Sequence, residues 1–211
     1  MAETLELALA GEPVRLLADR ALYWPARARL LIADLHLGKG DTFRAAGIAV
    51  PSGGTAHDLA RLAALLALTG ARSLWILGDF LHARRHAAVD AAWRDFRRAH
   101  AAVAMAVVPG NHDRAFDAEA AGVQRLPEGT LDGPFEFRHA PVGQTAARHV
   151  LCGHLHPVLR LPGTGRHPLF WLRDAATVLP AFSAFTGGHF VPRADSRGSV
   201  LCDGRQLLRL P

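Results

Sequence analysis

Five short segments of this chain carry residues whose types and spacing suit a pair of metal ions: Asp34-Leu35-His36, Gly78-Asp79, Gly110-Asn111-His112-Asp113, His139 and Gly153-His154-Leu155-His156. In a D-x-H or H-x-H on an extended chain, residues i and i+2 point to the same side, so both side chains reach one ion. Asp79 follows a glycine and offers a carboxylate whose two oxygens can bridge two cations. Asn111 offers a neutral carbonyl oxygen, and His139 closes a short strand. The set mixes oxygen and imidazole nitrogen without thiolate. That favours two divalent ions of the manganese or iron kind over a structural zinc site, with manganese first and iron, zinc or magnesium as alternatives. Two ions about 3.5–4 Å apart activate a water and neutralise an oxyanion during in-line displacement, which is what phosphoester hydrolysis requires. Each segment alone is a weak signal; their order along the chain carries the reading.

Strands must deliver such ligands, and the chain supplies them. Arg29 to Ala33 is an apolar run ending at Asp34, and Ser73 to Leu77 is another ending at Gly78-Asp79. Val103 to Val108 ends at Pro109-Gly110-Asn111. Helical spacing predicts helices over Asp58 to Thr69, with Gly70 as a C-cap, and around Val89, Trp93 and Phe96. Leu5 to Leu9 and Val14 to Leu17 predict an opening hairpin, and residues 38–57, rich in Gly, Pro, Ser and Thr, predict a long loop. The alternation predicts an α/β fold with a substantially parallel sheet and ligands at the carboxyl ends of its strands. After about residue 134 short strands take over: Phe135 to His139, His149 to Cys152, Leu169 to Leu172, Val200 to Cys202 and Gln206 to Leu210. They predict a second sheet packed on the first.

The whole chain bounds the reading. Its 211 residues suit one domain with a well-buried core. Half are hydrophobic and 20% are charged, a globular balance. The formal net charge of +5 permits a polyanionic partner. The basic residues are arginines apart from Lys39. The N-terminus has no positive leader, no uncharged apolar run approaches a membrane span, and Cys152 and Cys202 are too few for a disulfide framework. A cytoplasmic protein without membrane association is the expectation.

The order D-x-H, G-D, G-N-H-D, H, G-H-x-H over residues 34–156 resembles the calcineurin-like metallophosphoesterases. That resemblance implies a double β-sandwich flanked by helices. Residue by residue, it implies one metal held by Asp34, His36, Asp79 and His156. The second would be held by Asp79, Asn111, His139 and His154, with Asp79 bridging. His112 matches the family's substrate-facing histidine, expected to stabilise the phosphate or protonate the leaving oxygen. Asp113 is expected either to orient His112 or to shape the turn.

A narrower likeness rests on five further segments. They are Asp19-Arg20-Ala21-Leu22-Tyr23-Trp24-Pro25, Ala33-Asp34-Leu35-His36-Leu37-Gly38-Lys39, Phe43-Arg44-Ala45-Ala46-Gly47-Ile48, Leu179-Pro180-Ala181-Phe182 and Phe185-Thr186-Gly187-Gly188. The chain is similar in these to the PdeM group of bacterial ligase-associated DNA-damage-response endonucleases. That likeness implies metal-dependent nuclease activity and a functional tie to DNA ligase and helicase partners.

Beyond the ligands, Lys39 and Arg44 are expected to hold substrate phosphates, as are Arg84 and Arg85 shortly after Asp79. His82 is read as solvent-facing or as supporting the site from behind. Phe43 is the aromatic best placed to stack a base. The leading expectation is a phosphodiesterase acting on nucleic acid, with a DNA endonuclease first. The competing ones are a small-molecule phosphodiesterase or pyrophosphohydrolase, and a non-catalytic protein-binding scaffold, against which the presence of His112 argues.

Overall fold

The computed structural model describes residues 3–50, 52–82, 87–142, 148–163, 165–184 and 186–211. Among these, seven strands form a first sheet in the order β1 (Thr4–Leu9), β2 (Glu12–Leu17), β3 (Ala21–Trp24), β4 (Arg29–Ala33), β5 (Ser73–Leu77), β6 (Ala104–Val108) and β7 (Gln124–Arg125). Strands β1 to β4 are antiparallel neighbours, whereas β4 to β7 are parallel. The sheet is therefore mixed, and the expected parallel part is its site-bearing half. The opening hairpin turns at Ala10 (φ 48°) and Gly11 (φ 81°), the paired positive values that a two-residue primed turn requires.

Three helices cover one face: α1 (Lys39–Ala45), α2 (Gly54–Thr69) and α3 (Ala87–Ala99). Strands β4, β5 and β6 are apolar on both faces because both are buried. Leu30, Ile32, Leu74, Ile76 and Val107 pack with the helices. Leu31, Ala33, Leu77, Ala106 and Val108 alternate with them and face the second sheet. That sheet holds β8 (Thr130–Asp132), β9 (Phe135–Phe137), β10 (His149–Cys152), β11 (Pro157–Leu161), β12 (Gly165–Arg173), β13 (Ala176–Val178), β14 (His189–Phe190), β15 (Val200–Cys202) and β16 (Leu207–Arg209). In it, β9, β10 and β13 run parallel. The two sheets meet across Trp24, Phe135, Phe137 and Trp75, with Trp24–Phe135 and Trp75–Phe137 edge contacts of 4.8 and 4.7 Å between centroids.

One sequence expectation fails here. Residues 38–57 are not one long loop, because α1 and the first turn of α2 lie within them. Gly38 (φ 84°) and Gly53 (φ 85°), which mark loops in the sequence, are the residues immediately before those helices. A glycine can take a positive φ without strain and so admits a sharp entry into a helix. Gly70 (φ 62°) caps α2 as expected, its N–H bonding the Leu66 carbonyl. Both cysteines are buried and free. Among the described residues, no helix is long and apolar enough to cross a membrane.

The inter-sheet aromatic contact should dominate stability. Phe137 is fully buried, so Phe137→Ala is expected to cost about 3–5 kcal/mol of unfolding free energy, read by urea titration. A loss below about 1 kcal/mol would mean the two sheets do not depend on this layer.

Candidate metal centre

Both parallel groups end at the same edge of the sandwich. Asp34 follows β4, Gly78-Asp79 follows β5, Gly110-Asn111 follows β6, His139 lies two residues past β9, and Gly153-His154 follows β10. An isolated bridge from Ala33 to Ala181 joins the two sheets beside Asp34.

The backbone there is unusual. Eight described non-glycine residues have positive φ, and five of them are Asp34 (52°), His36 (48°), Asp79 (35°), His154 (69°) and His156 (48°). Such conformations cost on the order of 1–3 kcal/mol each and persist only where surroundings enforce them. Here the enforcement is visible. His36 N–H donates to the Asp79 carbonyl at 2.8 Å, Leu37 N–H to the Phe80 carbonyl at 2.9 Å, and Phe182 N–H to the Ala33 carbonyl at 2.8 Å. The side chains join in: Asp34 Oδ2 accepts from His154 N–H at 2.8 Å, and Asp79 Oδ1 from His112 N–H at 2.9 Å. Glycines make room. A Cβ on Gly78 would lie 1.7 Å from His139 Nδ1, one on Gly110 2.2 Å from Asp79 Oδ1, and one on Gly153 2.5 Å from Asp34 Oδ2.

Polar atoms converge on two points. Donor atoms of Asp34, His36, Asp79 and His156 all lie within 4.8 Å of one another, and so do those of Asp79, His139 and His154. His36 Nε2 is 3.3 Å from His156 Nε2, and His156 Nε2 is 3.5 Å from Asp34 Oδ2. His139 Nε2 is 2.9 Å from both His154 Nδ1 and Asn111 Oδ1. Neighbouring donors around an octahedral ion held at about 2.1 Å stand about 3 Å apart, so these spacings fit cations at both points. Asp79 belongs to both groups. The pairing by i and i+2 holds for Asp34 and His36 but not for His154 and His156, which part into different groups. All four residues have positive φ, so the chain is not extended at either pair and the pleat rule governs neither.

Charge supports the same fit. Asp34 and Asp79 are 0% and 2% exposed, and no described lysine or arginine forms an ion pair with either. Asp34 Oδ1, His36 Nδ1 and His139 Nδ1 are buried without a hydrogen-bond partner. Two buried carboxylates so placed call for positive charge. The histidines do not supply it. Burial above all pushes the pKa of His36 well down and that of His139 down to about 4, leaving both neutral, as metal ligands must be.

Around this centre stand the other expected residues. His112 is half-buried, its ring 5.5 Å from that of His36. His82, read from the sequence as solvent-facing or as supporting the site from behind, stacks on His112 at 5.0 Å and 22°, and also packs against His36 and Phe43. Burial, then Lys39 and His112, hold the pKa of His82 down to about 4. Its signal was only its place three residues after Asp79, on a loop where no periodicity applies. Lys39, the first residue of α1, is partly buried and feels both Asp34 and Asp79, although burial lowers its pKa overall. Arg44 lies in the last turn of α1 and pairs with Asp41. Arg84 and Arg85 lie outside the described residues, as does Phe185.

Of the two roles expected for Asp113, its contacts are those of the loop-shaping one. Its buried carboxylate accepts from the Phe80, Leu81 and Gly110 N–H groups at 3.1, 2.8 and 2.8 Å. No described hydrogen bond joins it to the His112 ring. It clamps the loop after β5 to the loop after β6, which is the shaping role carried one step further. A similar clamp holds the far side. Arg61 of α2 donates to Asp19, Asp58 and the Phe182 carbonyl at 2.8, 2.9 and 2.8 Å, with its guanidinium 4.2 Å from the Phe182 ring centroid.

Comparison with known proteins bears on this arrangement. A family model described as calcineurin-like phosphoesterase matches residues 29–199. Among solved structures, the Pseudomonas putida nuclease MPE is similar with a TM-score of 0.87 and 38% identity, covering 99% of this chain and 100% of that one. The E. coli phosphoesterase YfcE is more remote, with a TM-score of 0.45, 18% identity, and coverage of 83% and 87%. A protein of unknown function from Aquifex aeolicus, AQ665, has a TM-score of 0.43, 17% identity, and coverage of 65% and 81%. Those two carry no argument. No curated protein matches.

Close approach of glycine to carboxylate yields a test. Gly153→Ala places a methyl 2.5 Å from Asp34 Oδ2 and must displace that carboxylate. At least about tenfold weaker Mn(II) affinity by calorimetric titration is expected, with an unchanged circular dichroism spectrum. Unaltered affinity would show that Asp34 is not held in place by this contact.

Proposed function

Because the chain belongs to the calcineurin-like metallophosphoesterases and is a metal-dependent phosphoesterase, we propose that it is a dinuclear phosphodiesterase that cleaves nucleic acid, as a DNA endonuclease serving DNA repair. The observation that carries this reading is the shared carboxylate. Asp79 sits in both donor groups, so one side chain is positioned to join two ions. In this reading Asp34, His36, Asp79 and His156 hold one ion, and Asp79, Asn111, His139 and His154 the other. Manganese suits the mixed oxygen and imidazole donors. Ions held there supply positive charge that polarises the phosphoryl group and acidifies the attacking water.

The chain's own groups complete the chemistry. His112 is half-open to solvent beside the first donor group, and it donates a proton to the leaving oxygen. His82 stacks behind it and limits its tilt. Lys39 faces the same centre and holds a phosphoryl oxygen of the substrate. Arg44 holds a phosphate farther along the strand, and Arg84 and Arg85 take the same task from their place in the sequence shortly after Asp79. Nucleic acid is favoured by the net charge of +5 and by the likeness, at 38% identity over the full chain, to a protein named as a nuclease. A cytoplasmic setting beside DNA ligase and helicase partners agrees with the buried free thiols and with the likeness noted in the sequence.

Two substitutions test the reading. Asp79→Ala is expected to abolish cleavage of circular single-stranded DNA and to leave fewer than two ions per chain by metal analysis. Two retained ions would remove the bridging assignment. His112→Ala should keep both ions and lower turnover by about 10²–10⁴-fold. A wild-type rate, or metal lost along with activity, would contradict proton donation by His112. Wild-type protein that hydrolyses bis-p-nitrophenyl phosphate but no DNA or RNA would move the substrate to a small diester.

A further inference from the structure

A polar pocket of about 160 Å³ opens beside the centre, sharing His156 with it. That volume is close to a cavity that admits a benzene ring, so a phosphate group fits. Arg20 and Arg166 line it, together with Pro157, Pro168 and Thr186, and no described carboxylate does. Arg20 sits in the turn between β2 and β3 with φ 63°, and its Nη1 donates to the Ala181 and Ser183 carbonyls at 3.4 and 3.1 Å. Its Nε is buried with no partner. The carboxylates that would otherwise neutralise it, Asp19 and Asp58, are bound to Arg61. Arg166 of β12 stands directly opposite Arg160 of β11 in the antiparallel register. Like charges opposed on one face destabilise a strand pair, and among the described residues no acid offsets these two.

Two arginines without a described ion pair, in a pocket that borders a proposed ligand of the centre, describe an anion site. We propose that this pocket binds the phosphate next to the scissile one on a nucleic-acid strand, with Arg20 and Arg166 as its donors; this rests on the nucleic-acid reading above. Arg20 supplies a preset donor, tied to the segment that also orders Asp34. Arg166 supplies an exposed one from the rim, with Arg160 extending the positive strip along the sheet. The strand then lies from Lys39 on one element, across the centre, to β11 and β12 on another. A diester with a single phosphate has nothing to place in the pocket.

The test is to measure KM, kcat and the salt dependence of KM for a single-stranded oligonucleotide with Mn(II), in wild type, Arg166→Ala and Arg166→Glu, with bis-p-nitrophenyl phosphate as the second substrate. Arg166 is exposed on a strand, so both variants should fold. The alanine variant is expected to raise KM for the oligonucleotide about tenfold and to flatten its salt slope by about one, and the glutamate variant to raise KM further. Hydrolysis of the small diester should change less than about twofold. Unchanged KM on the oligonucleotide overturns the pocket while leaving the nucleic-acid reading intact. Equal losses on both substrates overturn it too, by assigning Arg166 to support of His156. If wild type cleaves no oligonucleotide at all, the nucleic-acid reading fails first and the pocket's role with it.

Discussion

Two carboxylates, those of Asp34 and Asp79, lie buried at one edge of this sandwich with no ion-pairing lysine or arginine among the described residues. A bare carboxylate in such a place is strongly unfavourable. Everything nearby is arranged to keep them there regardless. Backbone amides of His154 and His112 bond them, the neutral His36 and His139 lie beside them, and glycines stand where any side chain would collide with them. Compensating positive charge is what this arrangement calls for, and the polar atoms that could hold it converge on two points that share Asp79.

The fold is organised to hold those positions against strain. Five of the proposed ligand residues sit at positive φ, and four of these follow β4 or β10, which are buried throughout. Apolar packing on both faces of β4 and β5 gives a rigid base, and the clamps at Asp113 and Arg61 tie loops that would otherwise relax. Stability stored in the two cores thus maintains a local geometry that the loops alone would not keep. The histidine pair His112 and His82 stacks half-open at the rim of this rigid centre.

Much of this was legible in the sequence because it depends on residue type and order. The apolar runs before Asp34, Gly78 and Pro109 became β4, β5 and β6, and six of the seven proposed ligands fall in the two donor groups, with Asn111 Oδ1 2.9 Å from His139 Nε2. What misled was local geometry. The pleat rule joins His154 to His156, but both have positive φ and they fall in different donor groups, which no spacing reveals. Gly38 and Gly53 read as loop and serve as helix entries. Short strands such as β3, β11 and β13 are fixed by pairing with distant partners, and three to five residues carry too little periodicity to announce themselves. Asp113 and His82 sit in loops, where a residue's role is set by what lies across from it.

The most direct measurement is anomalous diffraction from crystals of the protein grown with Mn(II). Two peaks about 3.5–4 Å apart, with an Asp79 oxygen in contact with each, are the predicted result. A single peak, or two peaks of which Asp79 touches only one, would contradict the account.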